Sequence, residues 1–102
     1  MEGDQWVVVH AVSPSIVYYF DSLGDPPNCC INKSLLDQFG NGAVFRNLFA
    51  YQSPDLSLCA YYCLYFILMV NVGYSLSEIH SKLTAAVNRD EYVKNLVDRV
   101  YD

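Results

Sequence analysis

A chain of 102 residues is long enough for one domain with a single hydrophobic core. Hydrophobic residues make up 53% of it and aromatic residues 15%, a composition that excludes intrinsic disorder. The formal net charge is −5, and the six Lys and Arg residues form no basic stripe, so no nucleic acid binding is expected.

Two β-rich runs open the chain. Residues 6–12 (WVVVHAV) and 16–23 (IVYYFDSL) are separated by a short polar link, which favours an antiparallel hairpin. The segment 24–28 (GDPPN) then breaks the second strand.

A short helix and a third strand are predicted next. Residues 34–39 (SLLDQF) predict a helix that Asn32 or Ser34 caps and Gly40 ends. Residues 43–51 (AVFRNLFAY) are rich in aromatic and apolar side chains and are expected to contain the third strand.

The most apolar helix is predicted at 58–71, with Ser57 or Asp55 as its cap. Residues 58–70 carry no charge, but this run of thirteen residues is too short to cross a membrane, and no membrane association is expected. Because the helix is apolar on every side, it should form the buried centre of the domain.

Two amphipathic helices complete the chain. The first begins at Ser75 or Ser77 and covers 76–87, where Val87 ends an apolar series at helical spacing; the second covers 90–101. The predicted fold is α+β, one domain over 1–102, with a small antiparallel sheet on a buried central helix followed by C-terminal helices.

Cys59 stands at the start of the predicted central helix, a position that suits thiol chemistry. A helix N-terminus favours thiolate over thiol, and its free backbone N–H groups can stabilise an oxyanion. Gln52 lies seven residues earlier in YQSPDLSLC and could supply a further amide donor.

The series Trp6, Asp21 (in YYFDSLG), Gln52 (in YQSP) and Cys59 (in CAYYC) resembles the adenovirus maturation proteinase (adenain) family and its relatives among SUMO-specific and virus- or transposon-encoded cysteine proteases. The resemblance covers about residues 3–70. It implies a papain-like core in which Cys59 is the nucleophile, Asp21 the orienting acid and Gln52 an oxyanion-hole donor. Trp6 is then expected in substrate binding, with a helical part at about 75–101.

Two positions depart from the family pattern. The family has Gly directly after the catalytic Cys, whereas this chain has Ala60 after Cys59. The change adds one methyl group and is mild. The catalytic His that precedes the Trp is Gln5, which cannot accept a proton near pH 7. The family also carries substantial sequence before this strand, so a shortened protein, a fragment or a degenerate descendant is expected.

Other histidines and cysteines fit catalysis or metal binding poorly. His10 is an odd number of residues from Gln5 on one strand and should face the opposite side, as a partly buried strand residue. His80 is expected to be a solvated surface residue. A zinc site of Cys29, Cys30, Cys59 and Cys63 is disfavoured because adjacent cysteines splay apart; Cys63 should be a core residue, and no metal or other cofactor is expected.

Three functions stay open. The first is a cysteine endopeptidase for polyprotein, capsid or ubiquitin-like substrates, weakly active or inactive because of Gln5. The second is a non-catalytic pseudoprotease, a capsid-associated or protein-interaction module, and the third is a plain helical interaction domain with exposed Tyr side chains.

A protein or peptide partner is implied, with another copy or a partner covering the sheet. The acidic start MEGDQW is not a signal peptide, so reduced thiols and an intracellular location (cytoplasm, nucleus or virion) are expected.

Overall fold

The structure is a computed structural model that describes residues 6–39, 43–47, 49–51 and 58–101. Its elements in chain order are β1 (Val7–Ser13), β2 (Ile16–Asp21), α1 (Cys29–Phe39), β3 (Ala43–Arg46), α2 (Cys59–Val72), α3 (Leu76–Ala85) and α4 (Arg89–Tyr101). The predicted α+β class and the opening hairpin are confirmed at this level.

The sheet is mixed, so the prediction of an antiparallel sheet is wrong in part. Its order is β1-β2-β3, with β1 antiparallel and β3 parallel to β2. Helix α1 explains the parallel pairing, because it connects β2 to β3. The helix returns the chain to the end of the sheet where β2 begins, so the two strands run in the same direction. The third strand is also shorter than the run 43–51.

Helix α1 begins five residues earlier than predicted. The Asn28 Oδ1 atom accepts the Ile31 N–H at 2.9 Å, so Asn28 caps the helix in place of Asn32 or Ser34. Asn28 follows Pro26 and Pro27, and two prolines followed by a cap residue are a typical signal for the start of a helix. The apolar spacing of 34–39 indicates only the second half of the helix. Gly40 lies outside the described residues.

Helices cover both faces of the sheet. On one face, Val17 and Tyr19 of β2 pack with Leu35 of α1. On the other face, Val8 and Phe20 pack with α2, α3 and α4, so the predicted packing of the central helix on the hairpin is confirmed. The domain therefore has three layers, with the hairpin in the middle layer.

Helix α2 is buried on two sides, not on all. Tyr62, Tyr65 and Phe66 are fully buried, whereas Leu64 and Ile67 are each 38% exposed. The sheet covers one side of α2, and α3 and α4 cover another, which leaves its third side in contact with solvent. Across the described ranges, no helix combines the length and the apolar character needed to span a membrane.

Each of the last two helices begins with a side-chain cap. The Ser75 side chain accepts the Glu78 N–H and Glu78 accepts the Ser75 N–H, a complete capping box that selects Ser75 over Ser77. Asn88 Oδ1 accepts the Glu91 N–H at the start of α4. Val87 was expected on the buried stripe, but α3 ends at Ala85 and Val87 is fully exposed.

Candidate functional site

Cys59 is the first residue of α2, as predicted. Leu58 occupies the N-cap position in a helical backbone conformation and makes no side-chain cap hydrogen bond, while Ser57 and Asp55 lie outside the described residues. The Cys59 side chain has an exposed fraction of 0%. A peptide carbonyl therefore cannot reach the thiol in this conformation, although the position at the helix start suits a nucleophile.

Asp21 is the last residue of β2, which ends two residues before the end of the predicted run 16–23, and it builds a turn. Its Oδ1 atom accepts the Leu23 N–H at 2.8 Å, and its carbonyl accepts the Gly24 N–H at 2.8 Å. Gly24 has φ +78°, and a Cβ there would lie 3.1 Å from the Phe49 backbone. A strand-end Asp followed by a left-handed Gly is typical of a turn former, a role that this geometry supports directly.

Asn47 holds the other side of this turn. Its Oδ1 atom accepts the Asp21 N–H at 3.1 Å, and its amide nitrogen donates to the Asp21 carbonyl at 2.6 Å and to the Phe49 carbonyl at 3.0 Å. Asn47 is buried. The side chain thus ties Asn47 and the Phe49 carbonyl to the end of β2. The sequence gives no local sign of this interaction.

The sheet register places Asp21 on the α1 face. Asp21 is opposite Val7, on the face that carries Tyr19, and it lines a cavity of about 280 Å³ there together with Asp25. Helix α2 packs on the other face. Burial raises the pKa of Cys63, one turn after Cys59, to about 12, with Cys59 and Asp21 adding to the effect. Asp21 and the start of α2 therefore lie on opposite faces of the sheet.

Two members of the predicted catalytic series, Gln5 and Gln52, lie outside the described residues. The convergence of Gln5, Asp21, Gln52 and Cys59 in one cleft consequently stays a prediction. Trp6 precedes β1 with an exposed side chain, and its substrate-binding role also stays a prediction.

His10 is a partly buried strand residue, as expected. It pairs with Tyr18, and its ring centroid is 6.5 Å from that of Tyr18. By strand alternation His10 shares the α2 face with Val8, whereas Asp21 lies on the α1 face and pairs with Val7, three positions before His10 in β1. Asp21 cannot orient the His10 imidazole from there.

His80 is exposed, but it is more than the solvated side chain that we expected. Its Nδ1 atom is 2.7 Å from the Tyr51 hydroxyl, and its ring lies edge-on to that of Phe49 with 5.7 Å between centroids. The sequence gives no sign of this contact because 29 residues separate His80 from Tyr51.

The Tyr51 backbone is also held firmly. Its carbonyl accepts the Arg89 Nη1–H at 3.1 Å. The Tyr62 hydroxyl donates its one hydrogen to Asp90 Oδ1 at 2.6 Å, and its oxygen also lies 3.3 Å from the Tyr51 carbonyl oxygen. Burial, followed by the hydrogen bond to Asp90, raises the pKa of Tyr62. The hydroxyl therefore stays protonated and joins the central helix to α4 and to residue 51.

The four cysteines do not form one cluster. Cys29 and Cys30 are exposed at the start of α1, whereas Cys59 and Cys63 are buried in α2, on the other side of the sheet. Within the described ranges, no group of three or more His, Cys, Asp or Glu side chains could hold a metal ion. Cys63 belongs to the hydrophobic core, which confirms its prediction.

A separate concave surface lies between the sheet and the start of α3. This groove has a volume of about 600 Å³ and a mainly apolar lining that includes Val12, Ile16, Phe45, Phe49 and Leu76. Arg46 and His80 contribute its basic groups, and no described lining residue is acidic. Neither Cys59 nor Asp21 lines the groove.

Comparison with known proteins adds no relative. No protein-family model, no characterised protein and no solved structure matches this chain. The likeness to adenain-type proteases consequently rests on the series Trp6, Asp21, Gln52 and Cys59 alone.

Proposed function

We propose that this chain is a non-catalytic protein-interaction module, a pseudoprotease on a scaffold of the adenain type. The observation that carries the proposal is the separation of thiol and groove. Cys59 has no exposed surface, while the open groove lies elsewhere, between the hairpin end, β3 and α3. A protease needs its nucleophile at the wall of the cleft that holds the substrate.

The base position supports the same proposal. Gln5 replaces the family's His, and a Gln amide can neither accept the thiol proton nor pair with a thiolate. The Asp21 carboxylate, which the resemblance assigns to orient that His, accepts a hydrogen bond within its own turn on the α1 face. Members of a catalytic unit act together, so loss of the base alone would lower turnover by orders of magnitude.

The groove favours an extended polypeptide segment with apolar side chains and an acidic group. The apolar side chains of such a segment would fill the space beside Phe45 and Leu76. Its carboxylate would be attracted by Arg46, because the described lining residues include no acid to compete. The chain as a whole carries a net charge of −5 and would repel an acidic ligand elsewhere on its surface, so the groove is where such a ligand is expected.

Selection from a random display library of linear peptides tests this proposal. We expect enriched peptides that combine aromatic or aliphatic residues with Asp or Glu, and we expect Phe45→Glu to lose at least tenfold in affinity for them. Val100→Glu, which changes an exposed apolar residue on α4, should bind normally and serves as the matched control. Peptides that bind Phe45→Glu undiminished would contradict the proposal.

A weakly active cysteine endopeptidase is the second candidate, because Cys59 is the first residue of α2, where a helix N-terminus can assist a thiolate. Gln5→His separates the two functions. If the site is otherwise intact, a peptide electrophile should label Cys59 at least about a hundredfold faster in Gln5→His, the usual contribution of a general base. The interaction-module proposal expects no gain, and a gain that vanishes in Cys59→Ala would overturn it.

A further inference from the structure

Among the described residues, β1 forms one edge of the sheet. Its Val9 and Ala11 side chains are exposed. An edge strand presents every second pair of backbone N–H and C=O groups away from its neighbour, ready to pair with another strand. The sequence VVVHAVS contains no Lys, Glu, Asp or Pro, the residues that normally prevent such pairing.

A second uncovered surface lies on α2. We call it the α2 stripe: Ala60, Leu64, Ile67 and Asn71, which recur at helical spacing and point in similar directions. Leu64 and Ile67 are exposed although both are large and apolar. The stripe lies on the opposite side of the helix from Tyr62 and the other α2 side chains that pack toward α4.

The α2 stripe and the β1 edge face the same side of the molecule. Helix α2 lies mainly over β1, and its Tyr62 side reaches Tyr51 and Asp90. Tyr51 stacks on Phe20 of β2 at 5.9 Å and contacts α3 through His80, so α3 and α4 lie toward β3. The side of α2 turned away from them is therefore above the β1 edge.

Charge distribution selects this side for contact between identical chains. β1 and α2 are the two elements of the described chain without an Asp, Glu, Lys or Arg residue. Two chains that each carry a net charge of −5 repel one another, and the repulsion is smallest where both present uncharged surface. A strongly charged partner would gain nothing from these two elements.

We propose that two copies of the chain form a twofold dimer through this side. The β1 strands pair antiparallel, which is a self-complementary arrangement, and join the two sheets into one of six strands. The α2 stripes then pack on each other above the new strand pair and bury Leu64 and Ile67. This proposal is independent of catalysis and leaves the groove beside Phe45 and α3 open in each copy.

Sedimentation velocity of the reduced protein over a range of concentrations tests the proposal. We expect a dimer of about 23 kDa, twice the chain mass of 11.6 kDa. Ile67→Lys, which places a charge in the stripe, should weaken association at least tenfold. Val72→Lys adds the same charge at an exposed position of the same helix outside the stripe, and its association should be unchanged.

Amide hydrogen exchange provides an independent measurement on the unmodified chain. Amides of β1 should become more protected as concentration rises, whereas those of α1, on the far face of the sheet, should not. A chain that stays monomeric at 100 μM, or a dimer that Ile67→Lys leaves intact, would overturn the proposal. So would a dimer whose β1 amides exchange at a rate independent of concentration.

Discussion

Alkaline pH should destabilise the fold through one buried thiol, that of Cys63. Burial raises its pKa from 9.0 to about 12, so the folded state keeps a proton that the unfolded state has lost at intermediate pH. The contribution of the Cys63 thiol to the free energy of unfolding is fully present below pH 9 and is lost as pH rises toward 12. Within that window the loss is about 1.4 kcal/mol per pH unit, hence about 1.4 kcal/mol by pH 10.

Urea unfolding of the wild type and Cys63→Ala, followed by far-UV circular dichroism at pH 8 and pH 10, measures this effect. The variant lacks the titrating group, so the stability difference between the two proteins should shift by about 1.3 kcal/mol in favour of the variant. That corresponds to roughly 1 M urea in relative midpoint for a domain of this size.

Cys30→Ala is the matched control, because that thiol is exposed to water before and after unfolding. Its stability difference from wild type should be the same at both pH values. A difference for Cys63→Ala that also stays constant between pH 8 and pH 10 would show that burial does not hold the Cys63 proton, and the reasoning would fail.

Two further substitutions test the contacts that hold the core and the β2 turn. Tyr62→Phe removes the hydroxyl that donates to Asp90 at 2.6 Å and should lower the free energy of unfolding by about 1.5–3 kcal/mol, whereas Tyr101→Phe at an exposed position should have almost no effect. Gly24→Ala should cost about 1–2 kcal/mol because its left-handed backbone and the Phe49 carbonyl 3.1 Å away both oppose a Cβ; thermal melts that show no loss would contradict this geometry.

Local sequence signals predicted most of the elements. The hairpin, the helix that Cys59 opens and a helix start near Ser75 all depend on neighbouring residues, and the structure contains each of them. The capping box decides between Ser75 and Ser77, which the sequence left open. The parallel direction of β3 was missed because strand pairing is decided by the path of the whole chain. The early start of α1 was not predicted because its first turns lack the apolar spacing that is present at 34–39. The cap residue Asn28 is the sequence signal for that start.

Side-chain contacts between distant parts of the chain were least predictable. The Tyr51–His80 and Tyr62–Asp90 hydrogen bonds join residues 29 and 28 positions apart, and no local pattern marks them. The exposed Leu64 and Ile67 were missed for the opposite reason. An apolar helix predicts burial, but how much of it is covered depends on how many other elements the chain can pack around it.

The central claim is that Cys59 is a buried thiol without a catalytic role, and its alkylation rate in the folded protein tests this most directly. Iodoacetamide labelling at pH 6 and pH 7.5, read out by peptide mass mapping, compares Cys59 with Cys29 and Cys30 of the same chain. We expect the two exposed thiols to react at least about a hundredfold faster than Cys59, which requires local opening of α2. Labelling of Cys59 at pH 6 ahead of Cys29 and Cys30 would mark an accessible, activated thiolate and would contradict the account.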